Sequence, residues 1–126
     1  MTALLVAAGA ALGAPLRYLV DRRLQSRHRH LPWGTLLVNV AGSALAGMVA
    51  AAVTRHGAAD WLLPLVVVGF CGALTTFSTF AFETVTLLED EAPGRALLNV
   101  VLSVGVAVVG CAAGWTVVGW GSWPTP

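Results

Sequence analysis

Four long apolar segments, separated by short polar stretches, dominate this chain of 126 residues. A membrane-spanning helix needs about 20 mostly apolar residues, and the segments near residues 2–20, 33–53, 61–88 and 95–120 all have room for one. Only 10% of the residues are charged, whereas soluble domains average about 25%. We therefore predict an all-α integral membrane protein, with residues 1–126 forming a single four-helix domain whose surface is largely solvated by lipid.

Small residues recur four positions apart inside three of these segments. The pairs are Gly9 and Gly13, Ser43 and Gly47, and Gly110 and Gly114. Between helices in lipid, apolar burial drives no association, so such pairs act by allowing two backbones to approach closely. The pattern predicts that the helices pack tightly against one another.

The third segment contains the stretch GFCGALTTFSTFAFE, from Gly69 to Glu83, which is poor material for a straight helix. The segment is also longer than a bilayer requires, so we expect a break near residues 72–76. A break frees backbone carbonyls, which at membrane depth need a partner from protein, water or an ion. A cation held by these carbonyls is one interpretation. The alternative is an unbroken Ser/Thr-rich helix whose hydroxyl groups bond back to their own turn.

Three segments each present a largely polar line at helical spacing, and no Lys or Arg accompanies these lines. The lines are Thr35, Asn39 and Ser43; Thr76, Thr79, Phe80 and Glu83, with Phe77 beside Phe80; and Asn99 and Ser103. Neutral donors and aromatic ring edges, which carry partial positive charge, can replace water around an anion weakly enough for the anion to leave again. The alternatives are an interhelical hydrogen bond for Asn39 and ordinary packing for the two phenylalanines.

Two ionisable residues, Arg17 and Glu83, lie within or close to the interior of a segment. Charged residues in such places are candidates for function by default. Both fall toward the same side of the membrane when the segments are counted, and we favour a structural role for each.

Three motifs, in order and on successive segments, carry a specific resemblance. They are GAALGAPLRY at residues 9–18, GTLLVNVAGS at residues 34–43 and the GFCGALTTFSTFAFE stretch. With them the chain resembles the Fluc (CrcB) family of fluoride channels over nearly its whole length. The resemblance implies an antiparallel homodimer with two pores, which passively exports fluoride across the bacterial plasma (inner) membrane and confers fluoride resistance. It also implies a sodium ion at the centre of the dimer.

The resemblance assigns roles residue by residue. It implies that the backbone carbonyls of Gly72 and Thr75 hold the sodium ion, and that Arg17 is the basic residue closing the first motif. It implies pore roles for Asn39, Phe77, Phe80 and Ser103, with Thr76 and Thr79 as additional pore hydroxyls. Asn99 departs from the family pattern because it stands where some members have tyrosine.

The arginines are distributed unevenly across the predicted membrane. One side carries Arg17, Arg22, Arg23, Arg27, Arg29 and Arg95, and the other carries only Arg55. The positive-inside rule then places both termini outside the cell. A subunit that inserts equally in both directions should show little bias. We therefore hypothesise that the chain forms an antiparallel heterodimer with a homologue of opposite bias, the alternative being an antiparallel homodimer.

Other function classes fit the sequence less well. A small dimeric multidrug-type transporter needs a carboxylate embedded in its first span, and residues 2–20 contain none. A non-transporting membrane subunit that only packs against a larger complex remains an alternative, with its polar residues facing partners. No nucleophile, base and orienting group converge as an enzyme requires. The net charge of +1 gives no indication of nucleic-acid binding.

Overall fold

A computed structural model describes residues 1–25 and 32–120, and every regular element within these ranges is helical. The helices are α1 (Thr2–Gln25), α2 (Trp33–His56), α3 (a π-helical stretch Leu63–Cys71 continued by one α turn, Gly72–Leu74), α4 (Phe77–Glu89) and α5 (Pro93–Gly119). Helices α3 and α4 together make one apolar span, so the described chain has four spans long enough to cross a membrane. The predicted all-α membrane fold is confirmed.

The first two helices continue past their expected ends. Helix α1 runs through Asp21 to Gln25, and α2 runs to His56, whereas the apolar pattern ends near Val20 and Val53. A helix satisfies its own backbone groups, so it can extend beyond the hydrocarbon while its polar side chains turn toward water. Helix α2 then closes at Gly57, whose φ of 65° gives the left-handed cap that favours glycine.

The third span is interrupted at Thr75 and Thr76. Both residues are extended, with φ and ψ of −77° and 156° at Thr75 and −149° and 123° at Thr76. Helix α4 restarts at Phe77, where the hydroxyl oxygen of Thr76 caps it by accepting the Thr79 N–H at 3.2 Å. The predicted break near the middle of this span is confirmed, and the alternative of an unbroken helix is wrong.

Glycines bring the helices together in two pairs. Between α2 and α5, a Cβ atom on Gly47 would overlap the Cys111 carbonyl, and one on Gly114 would overlap the Ala44 carbonyl. Between α1 and α3, a Cβ atom on Gly9 would likewise overlap the Leu65 carbonyl. The close packing predicted from the small residues is therefore observed for α1 against α3 and for α2 against α5.

Helix α4 is the exception to this tight packing. It lies against α5 and touches α2, yet none of its residues is buried within the described part of the chain. The helix that begins at the break is therefore held by contacts other than a buried apolar face.

Candidate functional site

A cavity of about 300 Å³ lies beside the break in the third span. Side chains from α2, the break, α4 and α5 form its wall: Asn39, Ser43, Thr75, Thr76, Phe77, Phe80 and Ser103, with Val104, Ala107 and Val108 completing it. We call this cavity the groove. The side chain of Phe77 is 78% exposed, so the groove is open along the side of a single chain. The polar groups that line it are neutral.

The two phenylalanines of the groove form a tilted pair. Phe77 and Phe80 lie three residues apart on the first turn of α4, with ring centroids 5.7 Å apart and ring planes 54° to each other. Because the break starts a new helix at Phe77, both rings stand at the wall of the groove. Their edges carry the partial positive charge of aromatic rings.

Asn39 binds the break through both ends of its amide. Its Nδ2 donates to the Thr76 carbonyl at 3.1 Å, and its Oδ1 accepts the Thr76 N–H at 2.7 Å. One side chain from α2 thus satisfies both backbone groups of an extended residue. The interhelical hydrogen bond considered for Asn39 is present, and Asn39 also lines the groove, where Nδ2 has a second hydrogen to offer.

Carbonyls just before the break lose their helical donors, and those of Gly72 and Thr75 are among them. In a continuous helix the N–H of Thr76 would bond to the Gly72 carbonyl, and that of Thr79 to the Thr75 carbonyl. Instead, Thr76 donates to Asn39 and Thr79 donates to the Thr76 hydroxyl. The Thr75 carbonyl accepts a hydrogen bond from Arg17 Nη1 at 3.3 Å. Gly72 and Thr75, whose carbonyls the resemblance implies as sodium ligands, are thus two of the four residues from 72 to 75 whose carbonyls lose their helical donors at the break.

The predicted pore hydroxyls differ in their positions. Thr76 and Ser103 line the groove, whereas Thr79 is not part of its wall. Thr79 is connected to the groove through Thr76, whose hydroxyl donates to the Thr79 hydroxyl at 3.0 Å. Sequence reasoning assigned no pore role to Ser43, which also lines the groove. Its position four residues after Asn39, on the same helix face, is the signal that could have identified it.

A hydrogen-bonded chain runs from the groove into the contact between α4 and α5. The Ser103 hydroxyl donates to Asn99 Oδ1 at 3.4 Å, and Asn99 Nδ2 donates to the Thr84 hydroxyl at 2.9 Å. The Thr84 hydroxyl in turn donates to the Phe80 carbonyl at 2.8 Å. The expected shared face of Asn99 and Ser103 is observed, but Thr84 was missed. Its spacing of four residues from Phe80 is the pattern of a back-bonding threonine.

The two candidate charged residues are both engaged inside the bundle. Glu83 Oε1 accepts a hydrogen bond from the buried Thr35 hydroxyl at 2.8 Å, and Arg17 contacts the break as described. Asp21 belongs to α1 because this helix continues to Gln25. It is close enough to Arg17 and to Glu83 to interact with both electrostatically. Asp21 lies in the last turns of α1, away from the middle of the helix where a multidrug-type transporter would need its carboxylate.

Comparison with known proteins gives one consistent result. Residues 4–115 match the family described as CrcB-like protein, Camphor Resistance (CrcB). A protein of Nocardia farcinica named Fluoride-specific ion channel FluC 1 is 49% identical over 124 residues, covering 97% of this chain and 82% of the relative. A protein of the same name from Frankia casuarinae is 50% identical over 119 residues, covering 90% and 92%. This chain therefore belongs to the CrcB family.

Proposed function

We propose that this chain is a subunit of a fluoride-selective channel, in which fluoride passes the groove beside Phe77 and Phe80. The observation that carries the proposal is the groove itself, a neutral, partly polar cavity at the break of a membrane span. The names of the relatives support fluoride as the ion. The chain is not an enzyme. Its work is to provide a passive path for export of the ion.

The groove can exchange the water around a small anion for weak protein contacts. Asn39, Thr76 and Ser103 supply neutral amide and hydroxyl donors, and the rings of Phe77 and Phe80 supply positive edges. The first turn of α4 also begins here, and the positive end of its peptide dipoles favours an anion. Several weak sites in sequence let an ion enter and leave, whereas a buried fixed cation would retain it.

The proposed assembly is an antiparallel dimer. Two features of the single chain support it: the open side of the groove, where Phe77 is exposed, and the lack of buried residues on α4. A second subunit laid against this side would enclose the path. The arginine bias favours a homologue of opposite bias as the second subunit in the cell. Arg27 and Arg29, which contribute to this bias, lie outside the described residues.

We propose that a sodium ion sits where the breaks of the two subunits meet. The Gly72 and Thr75 carbonyls fit this ion, since each offers an oxygen atom that no longer accepts a helical hydrogen bond and can coordinate a cation. Arg17 already donates to Thr75, but a carbonyl oxygen has two lone pairs and can accept from a second direction. When bound, sodium would supply a positive centre that joins the two breaks.

The described chain is a multi-pass membrane protein with four apolar spans. We place it in the bacterial plasma (inner) membrane, where a path for fluoride out of the cytoplasm would confer fluoride resistance.

The test is passive fluoride efflux from liposomes, followed with a fluoride electrode. Wild-type protein should release the trapped ion in response to membrane voltage. Phe80→Ile should slow efflux by about tenfold, equivalent to about 1.4 kcal/mol of barrier, because it removes a ring edge from the groove. Phe82→Ile is the matched control, since Phe82 lies on the same helix but is 72% exposed and is not part of the groove wall. Wild-type vesicles that retain fluoride as empty ones do would refute the proposal and favour the packing subunit.

A further inference from the structure

Helix α4 carries both phenylalanines of the groove, yet its position depends on few contacts. None of its residues is buried in the described chain. Hydrogen bonds from neighbouring helices reach this part of the span, among them those of Asn39 with Thr76 at the cap, Thr35 with Glu83, and Asn99 with Thr84. In lipid, polar contacts of this kind guide helix association where apolar burial provides no driving force. They therefore contribute to where the rings stand.

The contact through Asn99 leads directly to Phe80. The Asn99 side chain is only 3% exposed, and its Nδ2 donates to the Thr84 hydroxyl. That hydroxyl donates its own hydrogen to the Phe80 carbonyl. A hydroxyl that accepts one hydrogen bond becomes a better donor for the next, because such chains polarise one another. The Asn99 amide is thus coupled to the backbone of Phe80 through a single oxygen atom.

We propose that Asn99 is a positioning residue that acts on fluoride passage through Thr84 and Phe80. The proposal rests on the proposed function, because it assumes that the ion passes Phe80. Asn99 is not part of the groove wall, its nitrogen is bound to Thr84, and its oxygen accepts from Ser103. Ser103, at the end of this series of hydrogen bonds, is the polar side chain that lines the groove. Asn99 joins α5 to α4 through Thr84, at a point that is not part of the groove wall.

The same helix provides a matched control. Thr86 donates its hydroxyl to the Phe82 carbonyl at 3.0 Å, which repeats the bond between Thr84 and Phe80 two residues further on. This second bond is exposed, and Phe82 is not part of the groove wall. Thr84→Val and Thr86→Val therefore remove the same chemical group, from the same helix, with the same β-branched shape retained.

The experiment measures fluoride efflux from liposomes for five variants. Thr84→Val and Asn99→Leu should each slow efflux by about three- to tenfold, the effect of losing one interhelical hydrogen bond, and Thr86→Val should match wild type. The double variant of Asn99 and Thr84 should be no slower than either single one, because both changes interrupt one chain. Thr84→Ser, which keeps the hydroxyl, should restore the wild-type rate.

The possible results separate the two proposals. If wild-type protein releases no fluoride, the proposed function fails. If wild type conducts and Thr84→Val equals Thr86→Val, or if the two single effects multiply in the double variant, the positioning role is refuted. At a low ratio of protein to lipid, a loss caused only by weaker folding would lower the share of vesicles that release fluoride, whereas the positioning role slows release from the vesicles that conduct. If Thr84→Val does not elute as folded protein, Thr84→Ala and Thr86→Ala replace the valine pair, with the same criteria.

Discussion

At the scale of single residues, Asn39 shows how one amide can serve two purposes. It lines the groove and also satisfies both backbone groups of Thr76. A buried backbone donor or acceptor left without a partner costs about 1–3 kcal/mol. An extended residue inside the membrane therefore needs such a partner, and a side chain from α2 is close enough to provide it.

Replacing Asn39 should destabilise the protein. Asn39→Ala removes both bonds to Thr76, and we expect the free energy of unfolding to fall by about 1–3 kcal/mol. Thermal unfolding in detergent would measure the change. Ser43→Ala is the control, because Ser43 lines the same groove one turn along the same helix and should leave unfolding within about 0.5 kcal/mol of wild type. Equal melting of the two variants would contradict this account of Asn39.

The residues of the groove could be predicted from the sequence more readily than their contacts. Asn39 and Ser103 each belong to a polar line at helical spacing, which identifies a shared face without a structure. The partner of Asn39 could not be predicted, because it depends on where the break places Thr76 relative to another helix. Thr79 illustrates the same limit: its spacing suggests the groove, but the cap turns its hydroxyl toward Thr76.

At the scale of helices, glycines decide which spans pack together. Gly47 of α2 and Gly114 of α5 approach the partner backbone reciprocally, each facing a carbonyl of the other helix. Such contacts exclude even a methyl group and let the two backbones meet. They make α2 and α5 a closely packed pair, and α4, which has no buried residue, lies against α5.

Adding one carbon atom at Gly114 should separate this pair. Gly114→Ala should destabilise the protein by about 1–3 kcal/mol, the cost of overpacking, and thermal unfolding in detergent would detect it. Gly105→Ala is the matched control on the same helix, since no atom lies within 4 Å of its added Cβ. That variant should be neutral or stabilised by up to about 1 kcal/mol. Similar melting temperatures for the two variants would contradict the packing described here.

The sequence predicted the break in the third span but not the form of α3. Gly72 and the hydroxyl run after Leu74 indicate the interruption because they favour non-helical backbone. The π-helical stretch Leu63–Cys71 has no comparable signal, since its apolar residues would suit an ordinary helix equally well. This stretch packs against α1, a contact that the segment alone does not encode. Gly69, for example, packs directly on the backbone of Val6 in α1.

At the scale of the whole molecule, the arginine bias bears on how the chain inserts and with what it pairs. Arg17, Arg22 and Arg23 stand near the end of α1, whereas the other side has only Arg55 at the end of α2. Arg55 lies over the Trp115 ring, 5.2 Å from its centroid. It therefore also joins α2 to α5, independently of any effect on orientation.

We expect the chain to insert in one orientation, with both termini outside the cell. A C-terminal reporter active only in the cytoplasm should be silent, and one active only outside should give a signal. Reducing the bias by Arg22→Gln and Arg23→Gln should produce some molecules of the opposite orientation, whereas Arg55→Gln should not. Equal signals from both reporters on the wild-type chain would refute the expected orientation and favour the homodimer.

The two hydrogen bonds between Asn39 and Thr76 have a consequence for how the break in the third span could evolve or be engineered. The break is supported from outside the third span as well, by an asparagine of α2 and an arginine of α1 that bond to backbone groups freed at Thr75 and Thr76. Substituting strong helix formers at Thr75 and Thr76 would be opposed, because a continuous helix there would take away the partners of Asn39 at Thr76. The break is thus a shared property of three segments, and removing it would involve all of them.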